Sequence, residues 1–439
     1  MTDQQDDAHD AHDAQDHQEK QERQTRQVVL LFSPALMSLA SLLPSNPNRS
    51  RLLHALLHAY GLLTPFTSET HGSQDVAEED GGTQRERTVF RILKPVPATR
   101  EQLEGYHERE YVQYLLDDSA GDADAAETAT LDDLGLSDDC PPFPHLPAYA
   151  LLVAGASLTA ASALTRGVAT HAMHWEGGRH HAHRGRAAGF CYVQDVVLAI
   201  QRLRALPPPE QGSLGPQRRA RVLYLDLDLH YSDAVSQAFA NGKGGVLTIS
   251  LHHSAPGFYP ATAQAVLTPA DTGDPYTVSL PLARGASDAS YARIWPAIER
   301  LQRAFEPEYL VVQCGLDALS GDPCRTFNLG LARECEGSMG WMVERVLGWG
   351  HKTLFLGGGG YDSANAARAW TYLTALIAGR PLDVGADIPD HAFFEQYAPS
   401  FTLDVPEGTM RDENTPEALE GIVMVVDVLA DRIRGMRGR

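Results

Sequence analysis

The chain predicts an α/β domain on a central, mainly parallel sheet with helices on both faces, and three observations predict it. Short apolar runs alternate with helical patterns from Ala187 onward. The runs are apolar throughout, as in strands buried on both faces. Charged and glycine-rich motifs follow them directly, at the strand ends where such sheets bind ligands.

The elements follow in order. Residues 1–27 are rich in Asp, Gln, His and Ala and predict a disordered acidic tail, with His9, His12 and His17 belonging to that polar tail. Residues 28–439 read as one domain, opening on the strand VVLLFS at Val28. The apolar spacing of SRLLHALLHAYGLL predicts a helix over 50–63. Residues 64–87 and 206–217, rich in Ser, Glu, Gly and Pro, predict a flexible insertion and a loop. Strands are expected near 221–226, 246–251, 308–313 and 353–356. Helices are expected near 193–204, 288–304, 331–348 and 363–378. There are no internal repeats.

Composition narrows the function. The formal charge is −21, and −18 of it falls in residues 1–26, 67–87 and 117–139. Such segments are solvated tails and loops, or a rim that attracts basic substrates. Either reading disfavours a nucleic-acid groove, and no direct nucleic-acid binding is expected, because phosphate contacts need clustered Lys and Arg. Five cysteines without C-x-x-C spacing point to a reducing compartment. No leader is legible, and no apolar run reads as long enough to span a bilayer. The expectation is a protein that is not secreted and has no membrane partner.

The chemistry lies in four segments. In RVLYLDLDLHYSD, the polar side chains of Asp226, Asp228 and His230 alternate and can point one way. Asp228 and His230, completed by Asp317 of VVQCGLDALSGDP, offer two carboxylates and an imidazole to a divalent metal. A structural salt-bridge cluster is the alternative, but few basic residues lie nearby to pair with it. His180 and His181 are weak evidence alone. Asp226 and Asp233 strengthen them, since each can hold an imidazole N–H. Gly357 to Gly360 lack a phosphate loop's Lys-Ser/Thr ending and read as a close backbone approach that delivers Tyr361. Arg49 has the plain alternative of a helix-entry charge. The set is that of a metal-dependent amide hydrolase.

These segments resemble the class I zinc-dependent histone deacetylases over residues 28–436. The resemblance rests on HH-x7-GFCY, DLDLH-xx-D, SAPGFYP, CGLDALSGDP, FNL, LGGGGY, ARAWTYLT and IPDHAFFEQYAP. It implies an arginase/deacetylase-like three-layer fold and hydrolysis of N-acetyl-lysine to lysine and acetate. It implies zinc, or Fe²⁺ in its place, on Asp228, His230 and Asp317. His181 with Asp233 is implied as the general base and acid, His180 with Asp226 as an electrostatic partner, and Tyr361 as donor to the acetyl oxygen. Asp139 would hold the substrate backbone. Phe190 and Tyr259 would wall the acetyl-lysine tunnel, with Gly189, Cys324 and Gly359 alongside, and Arg49 would line an acetate channel. Potassium is implied at Asp226, Asp228, His230, Ser250 and Leu251, and a second potassium at Phe239, Val246 and Tyr276. The implied partners are acetylated lysine peptides, histone tails and corepressor proteins; the implied location is the nucleus or cytoplasm.

The chain departs from the pattern at Tyr231-Ser232-Asp233-Ala234, where His-Gly-Asp-Gly is usual. It departs again at Tyr259-Pro260-Ala261-Thr262-Ala263, where Phe-Pro-Gly-Thr-Gly is usual, and at Gln194, where Asn is usual. These changes bear on tunnel shape, rate and substrate choice. A deacetylase of small acetylated amines and a weakly active scaffold stay open as alternatives.

Overall fold

The computed structural model describes residues 25–71, 85–117, 130–206, 218–240 and 245–437. Nine strands form one sheet: β1 (Thr25–Leu31), β2 (Phe66–His71), β3 (Arg85–Leu93), β4 (His171–His174), β5 (Val222–Asp226), β6 (Val246–His253), β7 (Thr277–Leu282), β8 (Tyr309–Gln313) and β9 (Lys352–Leu356). Their order is β2-β3-β1-β4-β9-β8-β5-β6-β7. Every pair is parallel except β2–β3.

Alternation along each strand sends side chains to two cores. Leu223, Leu225, Leu310, Val312 and Phe355 pack on one face with the helices Asp288–Phe305, Met339–Gly348 and Ser363–Ile377. Val222, Tyr224, Val311 and Leu354 pack on the other with helices Leu146–Thr165 and Asp195–Leu203. The expected three layers are present.

Several expectations need correction. β1 begins at Thr25, so the tail stops short of residue 27. The insertion expected at 64–87 is bounded by β2 and β3, an antiparallel pair at the sheet edge, and residues 72–84 lie outside the described residues. The helix from residue 50 runs Arg49–Ala59. The helix expected from residue 331 starts at Met339: Gly337 takes φ 91° and lies so close to Asp288 that a Cβ would overlap its carbonyl. Ser338 then caps the helix by accepting from the Trp341 N–H. Leu146–Thr165 is long and apolar enough to cross a membrane, contrary to the sequence reading, but most of it is buried in this core. The tail up to residue 24 and the loop 207–217 lie outside the described residues.

One register fact positions everything that follows. His174, Leu356, Gln313 and Asp226 align across β4, β9, β8 and β5, and Ser250 of β6 pairs with Asp226. Four parallel strands therefore end on one line while β6 runs on beside them to His253, and the chain leaving each of the four ends carries a chemical motif.

Candidate active site and metal centre

Beyond β5 the chain carries Asp228 and His230 to the same side as Asp317, which follows β8. His230 Nδ1 lies 2.9 Å from Asp317 Oδ2 and 3.3 Å from Asp228 Oδ1. Each of the three offers a ligand atom, all within 4.8 Å of one another. Two carboxylates and an imidazole at this spacing fit Zn²⁺, which takes O and N ligands and keeps an open position when catalytic. No Lys or Arg among the described residues ion-pairs with either carboxylate.

The neighbours hold these ligands in place. Asp228 Oδ2 accepts from Gln313 Nε2 and from Gly359 N, both at 2.9 Å. Asp317 Oδ1 accepts from Leu229 N at 3.0 Å. Gly315 lies against the Asp228 carboxylate and Gly359 against that of Asp317, so a Cβ at either would overlap its carboxylate. Gly359 thus seats the metal ligands as well as lining the pocket with Tyr361.

Two Asp–His pairs stand beside the cluster. His180 Nδ1 is 2.8 Å from Asp226 Oδ2, and His181 Nδ1 is 2.8 Å from Asp233 Oδ1. The two rings are 4.0 Å apart. Their environments drive them in opposite directions. Burial would lower His180, but Asp226 and Asp228 outweigh it and lift the imidazole to about 9. Burial and then the neighbouring His180 lower His181 to about 4, against the opposing pull of Asp233. At neutral pH one ring is a cation and the other a free base.

Tyr361 follows β9, and its backbone N–H donates to Asp322 Oδ2 at 2.7 Å. Burial, then Asp317 and Asp228, push its phenol far above the ordinary value, so it stays a neutral donor. Phe190 meets the Tyr361 ring edge-on at 5.6 Å, and Tyr259 meets His181 edge-on at 4.9 Å. Gly189 and Phe190 both take positive φ, 54° and 63°. A Cβ at Gly189 would strike the His181 ring, so that turn needs glycine. Asp139, exposed, accepts from Gly189 N at 2.7 Å and ties this wall to the rim. Cys324 N donates to Asp322 Oδ1, which places the cysteine beside the Tyr361 loop. Asp122, Asp124 and Glu127 of the acidic segment lie outside the described residues.

Arg49 is no surface charge. It is buried, donates to the Gly359 and Gly360 carbonyls at 3.1 and 2.8 Å, and lies over Trp370. The departures also find places. Ser232, Ala234, Ala261 and Ala263 all have negative φ, so glycine is not required there. Tyr231 packs on His252 at 4.7 Å. Gln194 donates to the Ala182 and His180 carbonyls at 3.0 and 3.3 Å, fixing the segment that carries His180 and His181.

Sequence reasoning missed Gln313, Tyr224, Asp322 and Asp195. Tyr224 donates to Asp226 at 2.5 Å. Asp195 accepts from the Gly178 and Arg179 N–H groups at 3.0 and 2.8 Å. Gln313 alone gave a signal, as a polar residue ending an apolar strand.

Comparison with known proteins agrees with this geometry. Residues 44–377 match the histone deacetylase domain model. The chain is 35% identical to "Histone deacetylase 8" of Danio rerio over 404 residues, covering 91% of this chain and 94% of that protein. It is 39% identical to "Histone deacetylase 8" of Xenopus laevis over 340 residues, 77% of this chain and 98% of that one. It is 34% identical to "Histone deacetylase 3" of Oryza sativa subsp. japonica over 380 residues, 86% and 66% respectively.

Proposed function

The chain belongs to the histone deacetylase family, class I, and hydrolyses acetyl-lysine amides; from that premise we propose how its residues divide the work. The carrying observation is the pair of Asp–His dyads beside a buried Asp-His-Asp cluster.

Asp228, His230 and Asp317 would hold zinc, the family's usual metal, or Fe²⁺. When bound, the metal supplies a Lewis acid for the acetyl oxygen and lowers the pKa of water. His181, neutral and oriented by Asp233, takes the water proton and returns it to the leaving amine. His180, cationic on Asp226, offsets negative charge as it develops. Tyr361 donates to the oxyanion. Phe190 and Tyr259 fit the apolar lysine stem between them. The oxygens of Asp226, Asp228, His230, Ser250 and Leu251 suit a potassium ion beneath the site, and Phe239, Val246 and Tyr276 a second one.

The substrates we propose are acetylated histone tails or other lysine peptides, in the nucleus or cytoplasm, with or without corepressor proteins. Turnover of acetyl-lysine peptides set against acetylpolyamines tests this reading. Faster hydrolysis of the polyamines would reverse it.

Two smaller effects are expected. Asp139→Ala frees the Gly189 N–H and removes a charged acceptor at the rim, so kcat/KM for peptides should fall about tenfold or more, equally at low and high salt. A loss that vanishes in high salt would reduce Asp139 to a long-range charge. His180→Asn removes the cation that depresses His181. The folded His181 pKa then rises, so the acid limb of kcat/KM should move up from about 4 toward the ordinary 6.5. An unmoved limb in the pH–rate profile would mean that His181 is not the base.

A further inference from the structure

His183 stands two residues past the base His181 and is only partly exposed. Its backbone N–H donates to the Arg186 carbonyl at 2.9 Å, so the chain turns back at this point. The ring lies against the helix Asp233–Phe239. Asp233 and Gln237 are one turn apart on that helix and share a face. His183 Nε2 lies 3.3 Å from Asp233 Oδ2, and Nδ1 lies 3.1 Å from Gln237 Oε1. Both ring nitrogens face oxygens, an environment matched by the doubly protonated ring.

The Asp233 carboxylate is shared between two imidazoles. Its Oδ1 faces His181 Nδ1 at 2.8 Å, and its Oδ2 faces His183. Burial would raise the Asp233 carboxyl, but the two imidazoles outweigh burial and hold it below the ordinary carboxylate range. The bond to Asp233 raises the His183 imidazole above 6.5, against burial and Arg186. The remaining charged or titratable groups around this turn are Arg184, Tyr106, His107 and Glu108. Burial pushes the Tyr106 phenol, near Arg184 and Asp233, up to about 12. Burial lowers His107 to about 4, so it is neutral. Glu108 lies against Gly185. Among the described residues none of these four forms an ion pair with His183 or Asp233.

We propose that His183 is a positioning residue for the base and makes its strength answer to pH, so that the working unit is a His181–Asp233–His183 triad. The inference rests on the reading of His181 as general base. As a cation, His183 offsets part of the Asp233 charge that strengthens His181. As pH rises through the His183 pKa, above 6.5, the ring loses its proton and Asp233 acts on His181 undiluted. The base then comes closer to working pH. A unit charge one carboxylate away, in a partly solvated site, is worth roughly one pH unit on His181. Brønsted behaviour converts that to about threefold in rate.

The test is the pH profile of kcat/KM across neutral pH, for zinc-loaded enzyme on one acetyl-lysine peptide. The intact enzyme should show an upward step of about threefold above 6.5. His183→Gln keeps a neutral donor to Asp233 and should run on the upper level throughout. His183→Lys keeps the charge and should stay on the lower level. Gln237→Glu, at an exposed position, sets an anion beside Nδ1 and should move the step to higher pH. Should a His183 variant fail to fold, Gln237→Glu still decides. No step in the intact enzyme, a step kept in both His183 variants, or an unmoved step in Gln237→Glu overturns the proposal. Equal losses in both His183 variants at every pH would mark a packing role and overturn it too. His181→Ala, read alongside, decides the underlying assignment separately: turnover retained there removes the base, and the triad with it.

Discussion

Asp228→Asn should abolish turnover. Asp228 makes more site contacts than His230 or Asp317: one oxygen accepts from the His230 N–H, and the other from Gln313 and Gly359. The amide removes a negative charge from the ligand set and faces two donors with an NH₂ group or gives up its ligand oxygen. Metal affinity and activity should fall together by more than ~10³, the scale expected when a bound-metal Lewis acid is lost. Asp317→Asn and His230→Ala should behave alike. A strong chelator should inactivate the unaltered protein, and added Zn²⁺ should restore it. Metal analysis alongside peptide turnover checks this; full activity in metal-free protein would falsify the metal assignment.

Tyr361→Phe keeps the ring that meets Phe190 and removes only the hydroxyl. Loss of one such donor typically costs about 10²–10³ in kcat, or ~2.7–4 kcal/mol. KM should change little, because the bond strengthens as charge builds on the acetyl oxygen. His181→Ala should cost at least as much. His183 also reaches Asp233, at 3.3 Å, but it meets the other oxygen of that carboxylate and does not line the pocket that His181 lines. Steady-state kinetics with an acetyl-lysine peptide separates the cases. A rise in KM with unchanged kcat for Tyr361→Phe would make it a binding residue only.

Much of the site was legible in the sequence because its chemistry is local to strand ends. Asp226, Asp228, His230 and Asp233 lie within eight residues, and the buried strand before them announces itself by being wholly apolar. The supporting polar residues were not legible. Gln313 acts on Asp228 across the β8–β5 pair, and Asp195 acts on the backbone of Gly178 and Arg179. Such bonds depend on which strands become neighbours, which composition does not state. The edge strand β2 was hidden for a related reason. Its segment is as polar as a loop, because an edge strand need not be buried on both faces. At Arg49 the residues alone left a helix-entry charge as the alternative to a channel lining, and the fold shows that the side chain is buried.

The strand order sets a timetable for synthesis. β4 ends at His174, yet its neighbour β9 begins at Lys352. At ribosomal speeds of about 5–20 residues per second, roughly 10–35 s separate the two. During that interval β4 has β1 on one side and a bare edge on the other, and β5 waits likewise for β8. The nascent amino-terminal half therefore presents open sheet edges that only the last third of the sheet can close. Fragments ending before β9 should aggregate rather than act, and cellular yield should depend on whatever shields those edges until the chain is complete.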